Sequence, residues 1–310
     1  MLFTVDRLQF DEDKLIAFEF FDYDLERGNE EFNGNKVKYI KEHSFFDKYY
    51  GIGYDESKNT YEVKEIDLTK DIERSYTYTW EDYATWFNNV NNPGSFSRSF
   101  SKPLNSATKN VGDHYVQSLL NEIHTDEYPG VDFYRDDSGL GLTAHALNGT
   151  ATYGFDFDLF EPTNNIVIEF LKRENPYVTN LTAHPARYTY NYRKFLSLWK
   201  AANHINGSLY LVNYSDDPKE AISVIEVIEM NDAGRIEHDI GYKLTNRKSL
   251  LRWLKRMNTD PTAADKYLTG KPKEIRDNDF WNDYMLGKEK NDDGSYKYSS
   301  QYKTIGKNYN

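Results

Sequence analysis

Asp158 and Glu169 are the two residues around which chemistry can be built, with Asp156 just before the first and Lys172 just after the second. The run Thr152–Phe160 alternates aromatic and acidic side chains with a period of two, as a strand does. Pro162-Thr163-Asn164-Asn165 is a turn cluster, and Ile166–Lys172 is a nearly continuous apolar strand that ends in charge. Paired strands lie roughly 4.8 Å apart, so a hairpin brings the Asp158 and Glu169 carboxylates to one sheet edge with an ammonium beside them. Two close carboxylates repel unless a cation neutralises them, and all-oxygen donors suit Mg²⁺ or Mn²⁺. A nearby lysine can orient or deprotonate a water, or stabilise phosphoryl charge. Together these are the parts for metal-assisted phosphodiester hydrolysis. Asp156, on the same strand face as Asp158, is the alternative first acid.

Elements that could position these groups flank the hairpin. Residues 111–124 read as an amphipathic helix, with Val116, Leu119, Leu120 and Ile123 at helical spacing. Residues 186–204 read as a second, with Tyr188, Tyr192, Phe195, Leu196 and Trp199 on one stripe and Arg187, Arg193, Lys194 and Lys200 largely off it. Ser208–Tyr214 and Ala221–Ile228 read as buried strands, and Asn206-Gly207 closes the helix before them.

The order Asp, about ten residues, Glu, then Lys resembles the active-site motif of the PD-(D/E)XK nuclease superfamily, over roughly residues 110–230. The resemblance implies an α/β (α+β) fold with a restriction-endonuclease-like core, a central mixed sheet flanked by helices. It implies a Mg²⁺-dependent deoxyribonuclease in which Asp158 and Glu169 hold metal and Lys172 acts on the water. Some members add a glutamate from the helix before the hairpin, which points to Glu122. DNA is the implied partner, with Arg187, Tyr188, Arg193 and Lys194 as a basic rim and His184 as a candidate proton shuttle. One departure is plain: the usual pattern is Glu-x-Lys, and Leu171 stands where that lysine is expected. A β-bulge at Phe170-Leu171 would return Lys172 to the face of Glu169.

Composition bounds the alternatives. Cysteine is absent, which excludes disulfide scaffolds, thiolate zinc sites and cysteine nucleophiles. The seven histidines have no ligand spacing, and there is no phosphate-loop, dinucleotide or nucleophile-elbow motif. The first residues lack a signal-peptide pattern and no apolar run is long enough to span a membrane, so a soluble cytoplasmic protein is expected. The net charge of −12 is unevenly spread: the first 80 residues hold 19 acids against 11 bases, whereas 187–200 and 243–276 are locally basic. An acidic enzyme with a basic cleft satisfies both facts.

Three segments are expected: a β-rich N-terminal accessory domain (1–105), the nuclease-like core (106–234), and a C-terminal helical extension with a polar tail (235–310). Leu15–Phe21, Thr60–Ile66 and Ser75–Trp80 read as strands, Glu81–Val90 as a helix, Asn33-Gly34 as a hairpin turn, and 125–150 as a flexible loop. The first segment is a candidate for gripping substrate or forming a homo-oligomer. Asn246–Met257 reads as a basic amphipathic helix that could lie along phosphates. Two other functions fit the residues. One is an inactive nuclease-like scaffold that binds nucleic acid or protein. The other is a carbohydrate-active or carbohydrate-binding protein, which the 26 tyrosines beside paired acids would suit.

Overall fold

The computed structural model describes residues 2–23, 37–38, 40–41, 45–91, 118–119, 122–123, 138–150, 153–173, 179–181, 183–185, 191–260, 268 and 292. Its centre is one ten-stranded mixed sheet. The strands are β1 (Phe3–Asp11), β2 (Lys14–Asp22), β3 (Lys48–Asp55), β4 (Thr60–Asp67), β5 (Ile72–Tyr78), β6 (Phe155–Glu161), β7 (Ile166–Lys172), β8 (Ser208–Tyr214), β9 (Ile222–Met230) and β10 (Ile236–Leu244). They lie in the order β10-β9-β8-β7-β6-β1-β2-β3-β4-β5. Only β2–β3 and β7–β8 pair in parallel; every other neighbour is antiparallel. Among the described residues four α-helices with defined bounds flank the sheet: α1 (Trp80–Val90), α2 (Ser138–Leu147), α3 (Tyr192–His204) and α4 (Arg247–Thr259). The molecule is therefore an α+β protein.

Alternation along the strands sorts side chains between the two faces. On β7, Val167 joins the core formed with Phe195, Leu198 and Ala201 of α3, while Ile166, Ile168 and Phe170 join Leu250, Trp253 and Leu254 of α4. On β2, Ile16, Phe18 and Phe20 pack against Tyr83 and Phe87 of α1 and Leu142 of α2. Strands covered on both faces need apolar residues at nearly every position, which is why β7 reads as an apolar run broken only by Glu169 before its final lysine.

Local chemistry sets the boundaries. Thr79 starts α1 by accepting from the Asp82 amide, and Asn246 starts α4 by accepting from the Ser249 amide at 3.1 Å. In the β6–β7 turn, the Glu161 carboxylate takes the amides of Thr163 at 2.7 Å and Asn164 at 2.9 Å. Asn165 sits there at φ 53° and its side-chain amide donates to the Ile205 carbonyl at 2.7 Å, tying the hairpin tip to the end of α3. Gly207 is obligatory beside it, because a Cβ there would lie 1.9 Å from the Asn165 carbonyl oxygen.

Several expectations change. The segments 1–105, 106–234 and 235–310 all contribute strands to one sheet: β1 pairs directly with β6, and β10 pairs with β9. Strands β1, β3 and β10 and helix α2, inside the expected loop 125–150, were not anticipated. Asn33-Gly34 and the 186–190 part of the expected second helix lie outside the described residues, as does most of 111–124.

Candidate active site

Glu169 is in the middle of β7, opposite Leu211 of β8, and its side chain turns toward the face covered by α3. It is only 3% exposed, so its charge needs a partner in place. Lys194, in the first turn of α3, supplies one: its Nζ lies 2.7 Å from Glu169 Oε1 and 3.3 Å from Asp156 Oδ1. Glu169 Oε2 is buried and receives no hydrogen bond among the described residues.

Asp158 enters from the neighbouring strand. The β6–β7 ladder runs from Glu161–Ile166 to Leu159–Ile168. Beyond that pair the Phe170 amide donates to Asp158 Oδ2 at 2.6 Å. The carboxylate thus holds the two strands at the point where regular pairing stops, and places its charge beside Glu169.

The electrostatics follow. Burial, together with the charge of Asp158, pushes the Glu169 carboxyl well above its ordinary range, against the pull of Lys194. Burial draws the Lys194 ammonium down, but Asp156, Glu169 and Asp158 outweigh it and hold that ammonium well above an ordinary lysine. Lys194 is consequently charged at neutral pH. It and Asp156 are each about one-third exposed, so the cluster has an open side.

The sequence-derived candidates divide accordingly. Asp158, Glu169, Asp156 and Lys194 converge. Lys172 does not: β7 pairs with β8 in unbroken register through Lys172–Tyr214, so no bulge forms, and Leu171 packs on the Glu169 side. The Lys172 ammonium lies 2.9 Å from Asp216 instead. Glu122 pairs with Arg247 of α4 at 2.7 Å, and its neighbours Leu119 and Ile123 pack in the core of the α4 face, across the sheet from Glu169. His184 is buried against Asp239 of β10 at 2.7 Å, three strands away from β7. Arg193 is exposed beside Lys194, whereas Arg187 and Tyr188 lie outside the described residues. The basic face of α4 is partly consumed by ion pairs, Arg247 with Glu122 and Arg256 with Asp260.

The ammonium at the centre was legible only as part of a basic rim. A sharper signal exists: Lys194, Leu198 and Ala201 share one helical stripe, and the latter two are fully buried. A lysine on a buried stripe demands a carboxylate opposite it. Replacing Lys172 by alanine is expected to leave any activity of the cluster unchanged and to cost under about 1 kcal/mol, since its pair with the largely exposed Asp216 is solvated. Urea denaturation beside an activity assay checks both.

Among the described residues no group of three or more His, Asp or Glu side chains is arranged to hold a metal ion. The Lys194 ammonium already sits between Glu169 and Asp156. No protein-family model matches the chain, and neither the curated proteins nor the solved structures contain a match. Among the described residues no helix is long and apolar enough to cross a membrane.

Proposed function

We propose that the chain is a metal-dependent nuclease that hydrolyses phosphodiester bonds of DNA at the Asp158–Glu169–Lys194 cluster. The observation that carries this reading is the 2.7 Å contact between Lys194 and a buried Glu169 whose second oxygen has no hydrogen-bond partner among the described residues. The resemblance of the hairpin motif supports the reading, with the ammonium delivered from the α3 helix in place of the strand.

The donor set suits a hard divalent cation: carboxylate oxygens only, with one buried oxygen lacking a hydrogen bond among the described residues and a carboxyl pushed upward by burial and by its acidic neighbour. Asp158 and Glu169 would hold Mg²⁺ or Mn²⁺, which would neutralise phosphate charge and acidify a bound water. The chain's own contribution is position and charge. Asp158 is oriented by the Phe170 amide. Glu169 is fixed in a packed strand. Lys194 keeps its proton, so it serves to orient an attacking water or to offset charge on the phosphoryl oxygens. Arg193, exposed one residue away, would meet the phosphate backbone.

The carbohydrate reading loses support because the described aromatic rings are mostly core. Tyr83 stacks on Tyr61 at 5.0 Å and on Phe87 at 5.8 Å beneath α1, and only Tyr23 and Ile228 are large exposed hydrophobics among the described residues. Incubating the protein with plasmid DNA and Mg²⁺ or Mn²⁺ tests the nuclease reading. Cleavage is expected, stopped by chelation and lost in Asp158→Ala. Undiminished cleavage by that variant, or none by the wild type with either ion, overturns it.

A further inference from the structure

Glu169 and Lys194 are held in very different ways. Glu169 is in the middle of β7, with β6 on one side and β8 on the other, and is only 3% exposed, so its carboxylate is fixed. Lys194 reaches it from the first turn of α3 on a flexible four-carbon stem. Its Nζ already touches two carboxylates, Glu169 Oε1 at 2.7 Å and Asp156 Oδ1 at 3.3 Å, so it can pass from one to the other without movement of the helix. Asp156 is partly exposed, and Lys194 is its ionic partner among the described residues. Helix α3 does not itself favour an ammonium here. Its first turn holds Arg193 and Lys194 and no acid, and Asn191 supplies no side-chain cap, so two cations stand at the positive end of the helix dipole. What holds Lys194 in place is the acid cluster.

That contact opposes the cation the site is proposed to take. The remaining oxygen of Glu169, Oε2, is buried and has no hydrogen-bond donor among the described residues. An ion taken up there shares one carboxylate with the ammonium on Oε1. Repulsion between the two scales with the product of their charges and is screened little at a buried group. Loss of the ammonium to solvent is no better. Fully ionised, Asp156, Asp158 and Glu169 carry three negative charges; one divalent ion balances two of them, and the third keeps the ammonium in the cluster. Asp158 is engaged by the Phe170 amide at 2.6 Å. Asp156 makes no such bond among the described residues and opens to solvent, where a lysine–carboxylate pair forms and breaks with little change in free energy.

We infer that Lys194 is a resident counter-ion that yields Glu169 to a divalent cation and moves onto Asp156. The inference rests on the nuclease reading for the identity of the ion, and it deepens that reading by giving the site a regulator. Without the ion, the ammonium bridges Glu169 and Asp156 and neutralises the buried carboxylate. With Mg²⁺ or Mn²⁺ on Asp158 and Glu169, the stem of Lys194 swings and Asp156 retains the ammonium at the open side of the cluster. No covalent bond changes and no proton moves; one ion pair is exchanged for another. The exchange lowers the apparent affinity for the ion, because a buried pair has to break first. It also frees the ammonium for a water or a phosphoryl oxygen only once the ion is in place. Asp156 is thus a positioning residue that acts through Lys194, not a ligand.

Mn²⁺ binding by the full chain, read from the electron paramagnetic resonance signal of the free ion with no nucleic acid present, tests the exchange. Lys194→Met and Lys194→Gln are each expected to bind Mn²⁺ about tenfold more tightly than wild type, the scale of a moderate coupling between two bound groups. Asp156→Asn is expected to bind about tenfold less tightly, and the loss to shrink to about twofold when Lys194→Met is also present. Asp156→Glu is expected to restore wild-type affinity. An Asp156 that ligated the ion, or only lent it charge, would weaken binding by the same factor in both backgrounds. That result overturns the inference. So does unchanged affinity in folded Lys194→Met and Lys194→Gln, or wild-type affinity in Asp156→Asn, a change at a partly exposed position. Glu169→Gln is expected to lose binding; full binding by that variant places the ion elsewhere and overturns the inference as well. The nuclease reading is separable, since no substrate is used. Coupling between positions 156 and 194 with plasmid left intact keeps the exchange and removes the nuclease. Cleavage without that coupling keeps the nuclease and removes the exchange, and a wild type that binds no Mn²⁺ removes both.

Discussion

Methionine at position 194 is expected to abolish metal-dependent cleavage and to lower stability by about 2 kcal/mol at pH 8. The change keeps the apolar stem and removes the ammonium that lies between Glu169 and Asp156. Breaking a buried ion pair from one side costs roughly 3–5 kcal/mol because a charge is left uncompensated, and the one-third exposure of Lys194 reduces that figure. The pH dependence has a definite sign. The folded protein holds the Lys194 proton more tightly than the unfolded chain does, so this stabilisation is complete below the ordinary lysine value of 10.5 and disappears as pH rises through the elevated folded value. It is therefore fully present at pH 8. In the variant, Glu169 loses its compensating charge and protonates more readily, so the deficit shrinks toward pH 5. Denaturant titrations at pH 5 and pH 8 measure the difference; equal stability of variant and wild type at pH 8 would remove Lys194 from the centre of the cluster. Arginine at 194 is expected to restore part of the stability and little of the cleavage, because a planar fork cannot take the place of a point charge.

Glu169→Gln is expected to have opposite effects on activity and stability. Cleavage falls by about 10²–10³-fold, the scale on which one electrostatic group at a reaction centre acts. Metal-free stability at pH 8 rises by on the order of 1 kcal/mol, because the charge of Glu169 is net unfavourable in the fold. Burial and Asp158 raise its folded value above the ordinary 4.5, so the folded state binds more protons than the unfolded state between the two values. Stability contributed by this group is present at low pH and falls as pH rises through that window, and the amide escapes the fall. A divalent ion reverses the balance: Mn²⁺ is expected to raise the melting temperature of the wild type and leave that of the variant unchanged. Thermal melts with and without Mn²⁺ check this. A variant less stable than wild type at pH 8 without metal would show that Glu169 is held mainly by its ammonium.

How much of this was legible in the sequence differs from element to element. The β6–β7 hairpin was, because Thr152–Phe160 alternates, 162–165 is turn chemistry, and 166–172 is an apolar run broken by one acid. Helix α4 was, because Leu250, Leu251 and Leu254 repeat at helical spacing. Strand β10, with the sequence IEHDIGYKL, was not: an edge strand is half solvated, and its pattern is too polar to distinguish from a loop. The site was half legible. Two acids on adjacent strands follow from period-two alternation and a short turn, which are local. The identity of the ammonium does not, because Lys172 is near Glu169 along the chain while Lys194 is near it only after α3 packs on the sheet.

The residues alone determined that acids would gather at one hairpin, that no thiol chemistry is available, and that a sheet with flanking helices would form. These follow from side-chain type and local periodicity, which act over a few residues. Tertiary structure decided which lysine meets Glu169, that Glu122 and His184 are tied elsewhere, and that β1 pairs with β6 to join the first five strands to the last five. The last of these depends on strand pairing between residues some 150 positions apart. Such pairing is governed by which faces must be buried together, and no pattern within a single segment records it.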